Sequence, residues 1–276
     1  MASQPYPYTH SPSLSPLSTL PPQSLSTTSD PPIAHLMTSV LILRQQPHQP
    51  PSQSHPQQGT TTTTTTTQPP SPPPPQILLL RRSPTDSYPL KWETPGGSVD
   101  PTDPSILSAA ARELHEEASL SNPHFHATVG MARCCSSSVN TQEEAAQMGG
   151  EWGIPPEEED AKDVDVQGVM GLHKMKVTTF LETRNVWGKI NFIATVDEGV
   201  SERVVTDPEE HTEWGWFTED EVRRGRAWRR VVDDKHDDDG EGEGEMREKV
   251  LEFTSQAVWG SILESFRVGR DLGIIV

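Results

Sequence analysis

The feature that most constrains this chain is the segment 96–120, in which a Gly-Gly turn precedes a predicted helix with three glutamates on one side. Glu113, Glu116 and Glu117 stand at positions i, i+3 and i+4, so an α-helix places them within an arc of about 100°. Their negative charges repel each other at this spacing, and a bound cation would reverse the sign of that interaction. The pattern therefore predicts a divalent metal site beside the turn.

The helix itself is predicted from its start signal and its apolar stripe. Asp103 is a good N-cap residue, and Pro104 suits the first helical position, where its missing N–H costs nothing. An apolar stripe follows on one face, made of Leu107, Ala110, Ala111, Leu114 and Ala118. Because the glutamates flank this stripe, we expect them at the rim of the core, where a cleft can form.

Carboxylate oxygens are the ligands that hard divalent cations prefer, and such cations typically serve substrates that carry phosphates. The sequence therefore predicts Mg2+ or Mn2+ as the cofactor. The plain alternative is a solvated acidic helix face, as most charge runs are. The order of Gly-Gly turn, Asp-Pro helix start and glutamate triplet favours the metal site.

This segment resembles the Nudix box, written G-x5-E-x7-R-E-U-x-E-E-x-G-U with U aliphatic, at Arg112, Glu113, Leu114, Glu116, Glu117 and Leu120. The sequence departs from the box by one extra residue between Gly97 and Arg112, by Asp103 at the acidic position, and by Ser119 in place of the late glycine. A longer first turn absorbs the extra residue. Serine adopts the left-handed conformation of a C-cap poorly, so we expect an altered helix end.

The resemblance implies an α/β fold, an α/β/α sandwich with a mixed β-sheet. It also implies a hydrolase that splits a nucleoside diphosphate linked to another group. The implied roles in this sequence are metal binding by Gly96 through its carbonyl and by Glu113, Glu116 and Glu117, and the orientation of a glutamate by Arg112.

The general base is less defined by the resemblance, which allows either a box glutamate or a glutamate in a loop before a late strand. Glu209 and Glu210 stand in such a loop, and we favour Glu210. An exposed acidic turn is the alternative. We predict Glu116, Glu117, Arg112 and Glu210 as the catalytic residues.

Three residues near the turn are predicted to bind substrate. Arg81 and Arg82 end the strand before the turn and could grip a phosphate, although surface placement explains them equally well. Trp92 could stack on a nucleobase, although tryptophan more often packs in the core. His115 and His211 are predicted to be surface residues, because Mg2+ has little use for imidazole.

The composition divides the chain unevenly. Residues 1–75 are rich in Pro, Ser and Thr and contain two charged residues, Asp30 and Arg44. We predict a disordered tail over 1–32 and one domain over 33–270, interrupted by a low-complexity insert at 45–75, an acidic insert at 134–171 and an acidic linker at 233–245. Strands are predicted at 33–43, 77–82, 124–133, 175–184, 189–199 and near 214–217, with a capping box at Thr218 and Glu221 and a last helix around 258–266.

The net charge of −18 argues against nonspecific binding to nucleic acid or anionic lipid. The resemblance to the Nudix box implies a small nucleoside diphosphate derivative as the partner. No apolar run is long enough to span a membrane. The adjacent Cys134 and Cys135 fit a reducing compartment, which predicts the cytoplasm, with the nucleus as the alternative. The sequence does not indicate which oligomeric state the protein adopts.

Two other functions remain open at this point. One is a catalytically inactive Nudix-fold module that binds or senses a nucleotide, which is suggested by Ser119 and by the long predicted inserts. The other is a scaffold whose Pro-rich and acidic segments recruit partners.

Overall fold

The computed structural model describes residues 6–26, 32–46, 72–131, 161–166, 175–182, 184–231 and 245–276. Its strands are β1 (Thr9–His10), β2 (His35–Arg44), β3 (Gln76–Arg82), β4 (Trp92–Glu93), β5 (His124–Val129), β6 (Lys162–Val166), β7 (Met175–Glu182), β8 (Asn185–Thr195), β9 (His211–Thr218), β10 (Arg226–Val231) and β11 (Glu245–Val250). Its helices are α1 (Ser15–Thr19), α2 (Gln23–Ser26), α3 (Ile106–Ala118), α4 (Glu198–Ser201), α5 (Glu219–Arg224) and α6 (Gln256–Asp271), with a 3-10 turn at Pro12–Leu14.

Nine strands form one mixed sheet. The long strand β8 pairs in parallel with β2 on one side and antiparallel with β5 and β7 on the other. Strand β3 pairs with β9 along its length, and its opposite edge meets first β2 and then β4. Strand β1 extends the sheet beyond β5, and β6 extends it beyond β7. Strands β10 and β11 form a separate two-stranded sheet.

Alternating strand residues feed two apolar layers. In β2, Val40 and Ile42 pack toward α3, whereas Leu41 and Leu43 pack with α6. This two-residue period, with apolar residues on both faces, is typical of a strand buried between two helix layers. The predicted α/β/α sandwich with a mixed sheet is therefore confirmed.

The start of α3 differs from the sequence prediction. Ser105 is the N-cap, and its side chain accepts a hydrogen bond from the backbone N–H of Ser108, so the helix begins at Ile106. Asp103 does not cap the helix, because its carboxylate accepts two hydrogen bonds from the guanidinium of Arg112. A charged partner outcompetes the backbone N–H at this position.

The end of α3 also differs from the expectation. Ser119 adopts the left-handed conformation with φ 53° and ψ 20°, and its N–H donates to the carbonyl of His115. The helix therefore ends as it would at a glycine, and the expected change in helix termination is wrong. The serine adopts this conformation at a cost of about 1 kcal/mol or more in local strain.

The N-terminal segment 6–26 is packed against the domain, so the prediction of a disordered tail over 1–32 is wrong for these residues. Leu17 and Leu25 have no exposed surface, and both belong to the apolar layer around α3. The hydroxyl of Tyr8 lies 3.3 Å from the Oγ of Ser105, the N-cap of α3. The low charge and high proline content of this segment led to the prediction of disorder. Its leucines bury enough apolar surface to order it, namely Leu14, Leu17, Leu20 and Leu25.

Most residues of the predicted inserts lie outside the part of the chain that the structure describes. The ranges 47–71, 132–160, 167–174 and 232–244 are not described. One correction concerns the acidic insert at 134–171, because its residues 162–166 form β6 and pair with β7. The turn between β7 and β8 is also shorter than predicted, since Glu182 already pairs with Asn185. The domain boundaries of 33–270 stay a prediction.

The remaining elements follow the sequence pattern. Thr218 and Glu221 form the predicted capping box at the start of α5, with both reciprocal hydrogen bonds present. The predicted last helix is α6, which buries Val258, Ile262 and Phe266 against the sheet. Both predictions are confirmed.

Replacing Leu17 by Ala tests whether the N-terminal segment is part of the folded unit. A fully buried leucine loses about 2–5 kcal/mol on truncation, and urea unfolding should report a loss in this range. The control Thr19→Ala, at an exposed position of the same helix, should stay within about 0.5 kcal/mol of the parent. Equal stability of the two variants would mean that the segment does not pack.

Replacing Ser119 by Gly tests the strained helix end. Glycine adopts positive φ without strain but loses more backbone entropy on folding, so the net gain should be about 0.5–1 kcal/mol in the free energy of unfolding. Thermal or urea unfolding measures the difference. A loss of stability would contradict the left-handed conformation at this residue.

Candidate metal centre and active site

The Gly-Gly turn lies against strand β2 at very short range. The N–H of Thr38 donates to the carbonyl of Gly97. A Cβ on Gly96 would stand 2.2 Å from the carbonyl oxygen of Thr38, a distance that real Cβ atoms do not show. Only glycine allows this approach, and the turn is thereby held at the edge of the motif helix.

Glu117 is tied to the turn by its side chain. Its Oε2 accepts a hydrogen bond of 2.7 Å from the backbone N–H of Gly96, and the residue is 9% exposed. Burial raises the pKa of Glu117 well above its ordinary value, and the charges of Glu93, Glu113 and Glu210 raise it further. A carboxylate in this setting is costly to ionise, and a cation would offset the cost.

The loop before β9 and the first residue of that strand bring two more potential metal ligands close to Glu117. One ligand atom each of Glu117, Glu210 and His211 lies within 4.8 Å of the other two. Carboxylate oxygens and an imidazole nitrogen this close together could hold one divalent cation after side-chain adjustment. The sequence had associated Glu210 with this region as a base.

His211 does not lie on the surface, and that prediction is wrong. The residue is 2% exposed, its Nε2 lies 3.4 Å from Oε1 of Glu93, and its Nδ1 is buried without a hydrogen-bond partner in the described part of the chain. A buried, unpartnered ring nitrogen in a carboxylate cluster fits a metal ligand. The site thus combines oxygen donors for Mg2+ with one nitrogen donor that suits Mn2+ or another transition metal.

Arg112 forms ion pairs with two of the three predicted metal-binding glutamates. Its guanidinium forms ion pairs at 2.9 Å with Glu113, Glu116 and Asp103. The hydrogen bonds to Asp103 are the largest reason why the pKa of Arg112 is raised. Glu113 and Glu116 are therefore held by Arg112, while Glu117 points to the turn and to Glu210.

Glu113 and Glu116, the two glutamates that pair with Arg112, differ in burial. The side chain of Glu116 is 47% exposed, whereas that of Glu113 is 11% exposed. Burial raises the pKa of Glu113, and the neighbouring Arg112 opposes the shift. A Cβ on Gly97 would stand 2.6 Å from Oε2 of Glu113, so the second glycine gives this carboxylate its space. Gly97 thus makes room for Glu113, whereas Gly96 makes room for the backbone of Thr38.

Glu93 is a site residue that the sequence analysis missed. It lies at the end of β4, is 8% exposed, and forms an ion pair of 2.5 Å with Arg82 as well as its contact with His211. The available signal was a charged residue between Trp92 and the Gly-Gly turn, close to the start of the motif segment. Such a residue is buried only when it has partners, and those partners come from distant parts of the chain.

The predicted substrate-binding residues have different surroundings. Arg82 forms ion pairs with Glu93 and Asp86, and the N–O distance is 2.5 Å in each pair. Arg81 pairs with Glu213 at 3.5 Å and is about one third exposed. Trp92 is 1% exposed and its ring lies 5.0 Å from that of Phe217, so it packs in the core. This placement contradicts the predicted stacking of Trp92 on a nucleobase.

A model of the family described as the NUDIX domain matches residues 71–147, a range that contains β3, the Gly-Gly turn and α3. Residues 71–147 of the chain therefore match the Nudix family, as the resemblance of the motif segment had implied. The comparison with curated proteins found no match.

The solved structures similar to this chain include proteins described as an Ap4A hydrolase and as a NUDIX hydrolase. An Ap4A hydrolase binary complex from C. elegans is 14% identical, covers 86% of this chain and 98% of its own, and has a TM-score of 0.41. A MutT NUDIX hydrolase from Burkholderia pseudomallei is 16% identical over 67% of this chain and 84% of its own, with a TM-score of 0.33. Similarity at these values carries no argument about substrate. Within the described ranges, no helix has the length and apolarity that crossing a membrane requires.

Replacing Glu117 by Gln tests the electrostatic cost of the site. Folding raises the pKa of this carboxyl above its ordinary 4.5, so its ionised form destabilises the metal-free protein at neutral and alkaline pH. Metal-free Glu117→Gln should therefore melt at a higher temperature than the parent at pH 8. The difference should shrink as the pH falls toward 4.5, where the parent carboxyl is protonated.

The same variant should lose its response to the cation. An ion at about 100 times its Kd stabilises the parent by about 2.7 kcal/mol, which thermal unfolding with and without Mn2+ would detect. Glu209→Gln, at an exposed neighbour of the cluster, is the matched control and should keep both the pH response and the metal response. Equal metal stabilisation of Glu117→Gln and the parent would contradict the site.

Proposed function

We propose that this protein is a metal-dependent hydrolase that cleaves the pyrophosphate linkage of a nucleoside diphosphate joined to another group. The observation that carries the proposal is the convergence of Glu117, Glu210 and His211 at the Gly-Gly turn, on a buried carboxylate whose pKa is raised. A site of this kind is costly in the folded protein without a cation. The match of residues 71–147 to the NUDIX domain model supports the reaction class.

A divalent cation bound here would supply Lewis-acid stabilisation of the phosphate oxygens and would orient the attacking water. Glu117, Glu210 and His211 would hold the ion, and Glu113 and Glu116 would join them as the Nudix box implies. Arg112 would orient Glu113 and Glu116, since it is bonded to both. The carbonyl of Gly96 stays a proposed ligand.

Glu210 is our proposed general base. Glu117 is buried and hydrogen-bonded to the turn, whereas Glu210 is exposed, so one oxygen of Glu210 would hold the ion while its other oxygen passes a proton from the attacking water to solvent. Arg81 is our proposed phosphate contact, because it keeps part of its surface open to solvent. Arg82 would act by holding Glu93 in place.

The inactive-module alternative was based on Ser119 and on the long inserts. It loses the first of these two reasons, because Ser119 ends α3 in the same conformation that glycine would adopt. The scaffold alternative concerns the Pro-rich and acidic segments, which lie mostly outside the described residues. The cytoplasmic location, the small nucleotide partner and the expected lack of nonspecific nucleic-acid binding stay predictions.

Turnover assays test the proposal. The purified full chain with Mg2+ or Mn2+ should release a nucleoside monophosphate or phosphate from one class among dinucleoside polyphosphates, ADP-ribose, NADH, coenzyme A and oxidised nucleoside triphosphates. Glu117→Gln should lower kcat by about 10²-fold or more, because it removes a charged metal ligand. Removal of the cation by EDTA should abolish turnover, and added Mn2+ should restore it.

The exposed Glu209→Gln again serves as the control and should retain the parent kcat. Nucleotide binding without product release in the parent would favour the inactive module over the hydrolase. Full activity of Glu117→Gln would contradict the assignment of the metal centre.

A further inference from the structure

An open cavity of about 410 Å³ lies at the end of the large sheet opposite the metal centre. Its wall includes Leu43 and Arg44, the last residues of β2, and Thr195, the last residue of β8. Arg44 pairs with Gln76 at the start of β3, whereas the metal centre lies beside Arg82 at the end of that strand. The seven-residue strand separates the two places by about 20 Å, so the cavity is distinct from the site of the proposed hydrolysis.

Arg44 is held in one orientation by two neighbours. It follows Val40 and Ile42 in the two-residue period of β2, so its side chain lies on the α3 face of the sheet. The central carbon of its guanidinium lies 4.0 Å from the centre of the Trp216 ring, which is a cation–π contact. Its Nε and Nη2 both donate to Oε1 of Gln76, at 3.0 and 2.8 Å. A guanidinium fixed in this way is preorganised for a ligand.

One edge of this guanidinium is used and another is left. Gln76 takes the edge formed by Nε and Nη2, which leaves the terminal edge, where Nη1 and Nη2 each direct one N–H the same way. Among the residues that the structure describes, no carboxylate lies close enough to form an ion pair with Arg44. Burial lowers the pKa of the Arg44 guanidinium, and the charge of Glu202 opposes this shift. A partly buried cation in this setting is stabilised by an anion that meets its open edge.

The remaining walls give the cavity an acid and an apolar surface. Glu202 is exposed and lines the same cavity as Arg44, so its carboxylate is open to a ligand. Leu43, Val196 and Ile274 supply the apolar surface. A volume of about 410 Å³ lies at the lower end of the range of about 300–1,000 Å³ that is typical of small-molecule sites. The cavity thus presents one cation, one anion and an apolar wall to a single small molecule.

The two charges together discriminate between classes of small anion. A phosphate group would be attracted by Arg44 but repelled by Glu202, and a simple carboxylate would leave Glu202 without a partner. A free amino acid carries both charges on one carbon atom. Its carboxylate matches the terminal edge of the guanidinium, its ammonium matches the acid, and an apolar side chain would cover the apolar wall.

We propose that this cavity binds a free amino acid with an apolar side chain, whose carboxylate pairs with Arg44 and whose ammonium pairs with Glu202. The side chain packs against Leu43, Val196 and Ile274. This site does not depend on the proposed hydrolysis, because its occupancy is measured without turnover. A chain without hydrolase activity would still bind the amino acid.

Isothermal titration of the metal-free full chain with L-leucine and L-phenylalanine tests the proposal. Metal-free buffer keeps the amino acids from chelating a cation at the metal centre. At least one of the two should bind saturably, with one molecule per chain. No detectable binding of either would overturn the proposal.

Matched analogues test the two charges separately. Leucinamide and phenylalaninamide lack the carboxylate, whereas isocaproate and hydrocinnamate lack the ammonium. Each analogue should bind about tenfold or more weakly than its parent amino acid, because it loses one charged hydrogen-bonded contact. An amide or a deamino analogue that binds as tightly as its amino acid would overturn the assignment of the corresponding charge.

Two variants locate these preferences in the cavity. Glu202→Gln changes an exposed residue and should make the amino acid bind no more tightly than its deamino analogue. Arg44→Gln should remove the preference for the amino acid over its amide. Because Arg44 also contacts Trp216 and Gln76, circular dichroism must confirm the fold of this variant, and Glu202→Gln keeps the test decisive if it does not fold. A full preference retained in Glu202→Gln, or in folded Arg44→Gln, would overturn the proposal.

Two further variants serve as controls for this binding. Arg203→Gln changes the charge of an exposed residue next to Glu202, outside the cavity wall, and should bind the amino acid with the Kd of the parent. Glu117→Gln changes the metal centre and should also keep that Kd. Loss of binding in Glu117→Gln would place the amino acid at the metal centre and overturn the assignment of the cavity.

Discussion

The hydrogen bond from the backbone N–H of Gly96 to the buried carboxylate of Glu117 is the interaction on which the site depends. It joins α3 to the Gly-Gly turn. The hydrogen bond from the N–H of Thr38 to the carbonyl of Gly97 holds this turn against β2. Glu113 fits only because Gly97 has no side chain. Neither glutamate would keep its place if the helix or the turn shifted by one residue.

The sandwich and half of the site were predictable because they depend on local patterns. Strands such as β2 and β3 are continuous apolar runs, and the glutamates of α3 follow helical spacing. Glu93 and His211 were not predictable as members of the site, since their roles come from contacts between β4 and β9 through β3. The spacing of apolar residues along one strand does not predict which other strands will pair with it.

The helix caps and the N-terminal segment show a second limit of sequence reasoning. Asp103 and Ser105 are both good N-caps by residue type, and the choice between them is made by Arg112, nine residues away. The N-terminal segment is ordered by leucines that contact α3, about 100 residues later in the chain. Composition describes a segment in isolation, whereas order depends on what it can pack against.

The parallel pairing of β2 with β8 has a consequence for how the chain reaches its fold. His35 and Asn185, at neighbouring ends of these strands, are 150 residues apart in sequence. The central strand of the sheet thus waits for a partner that is synthesised much later, and such distant pairing slows folding. Until β8 arrives, the apolar residues 40–43 of β2 are open to association with other chains, so the yield of refolded protein should fall steeply with its concentration.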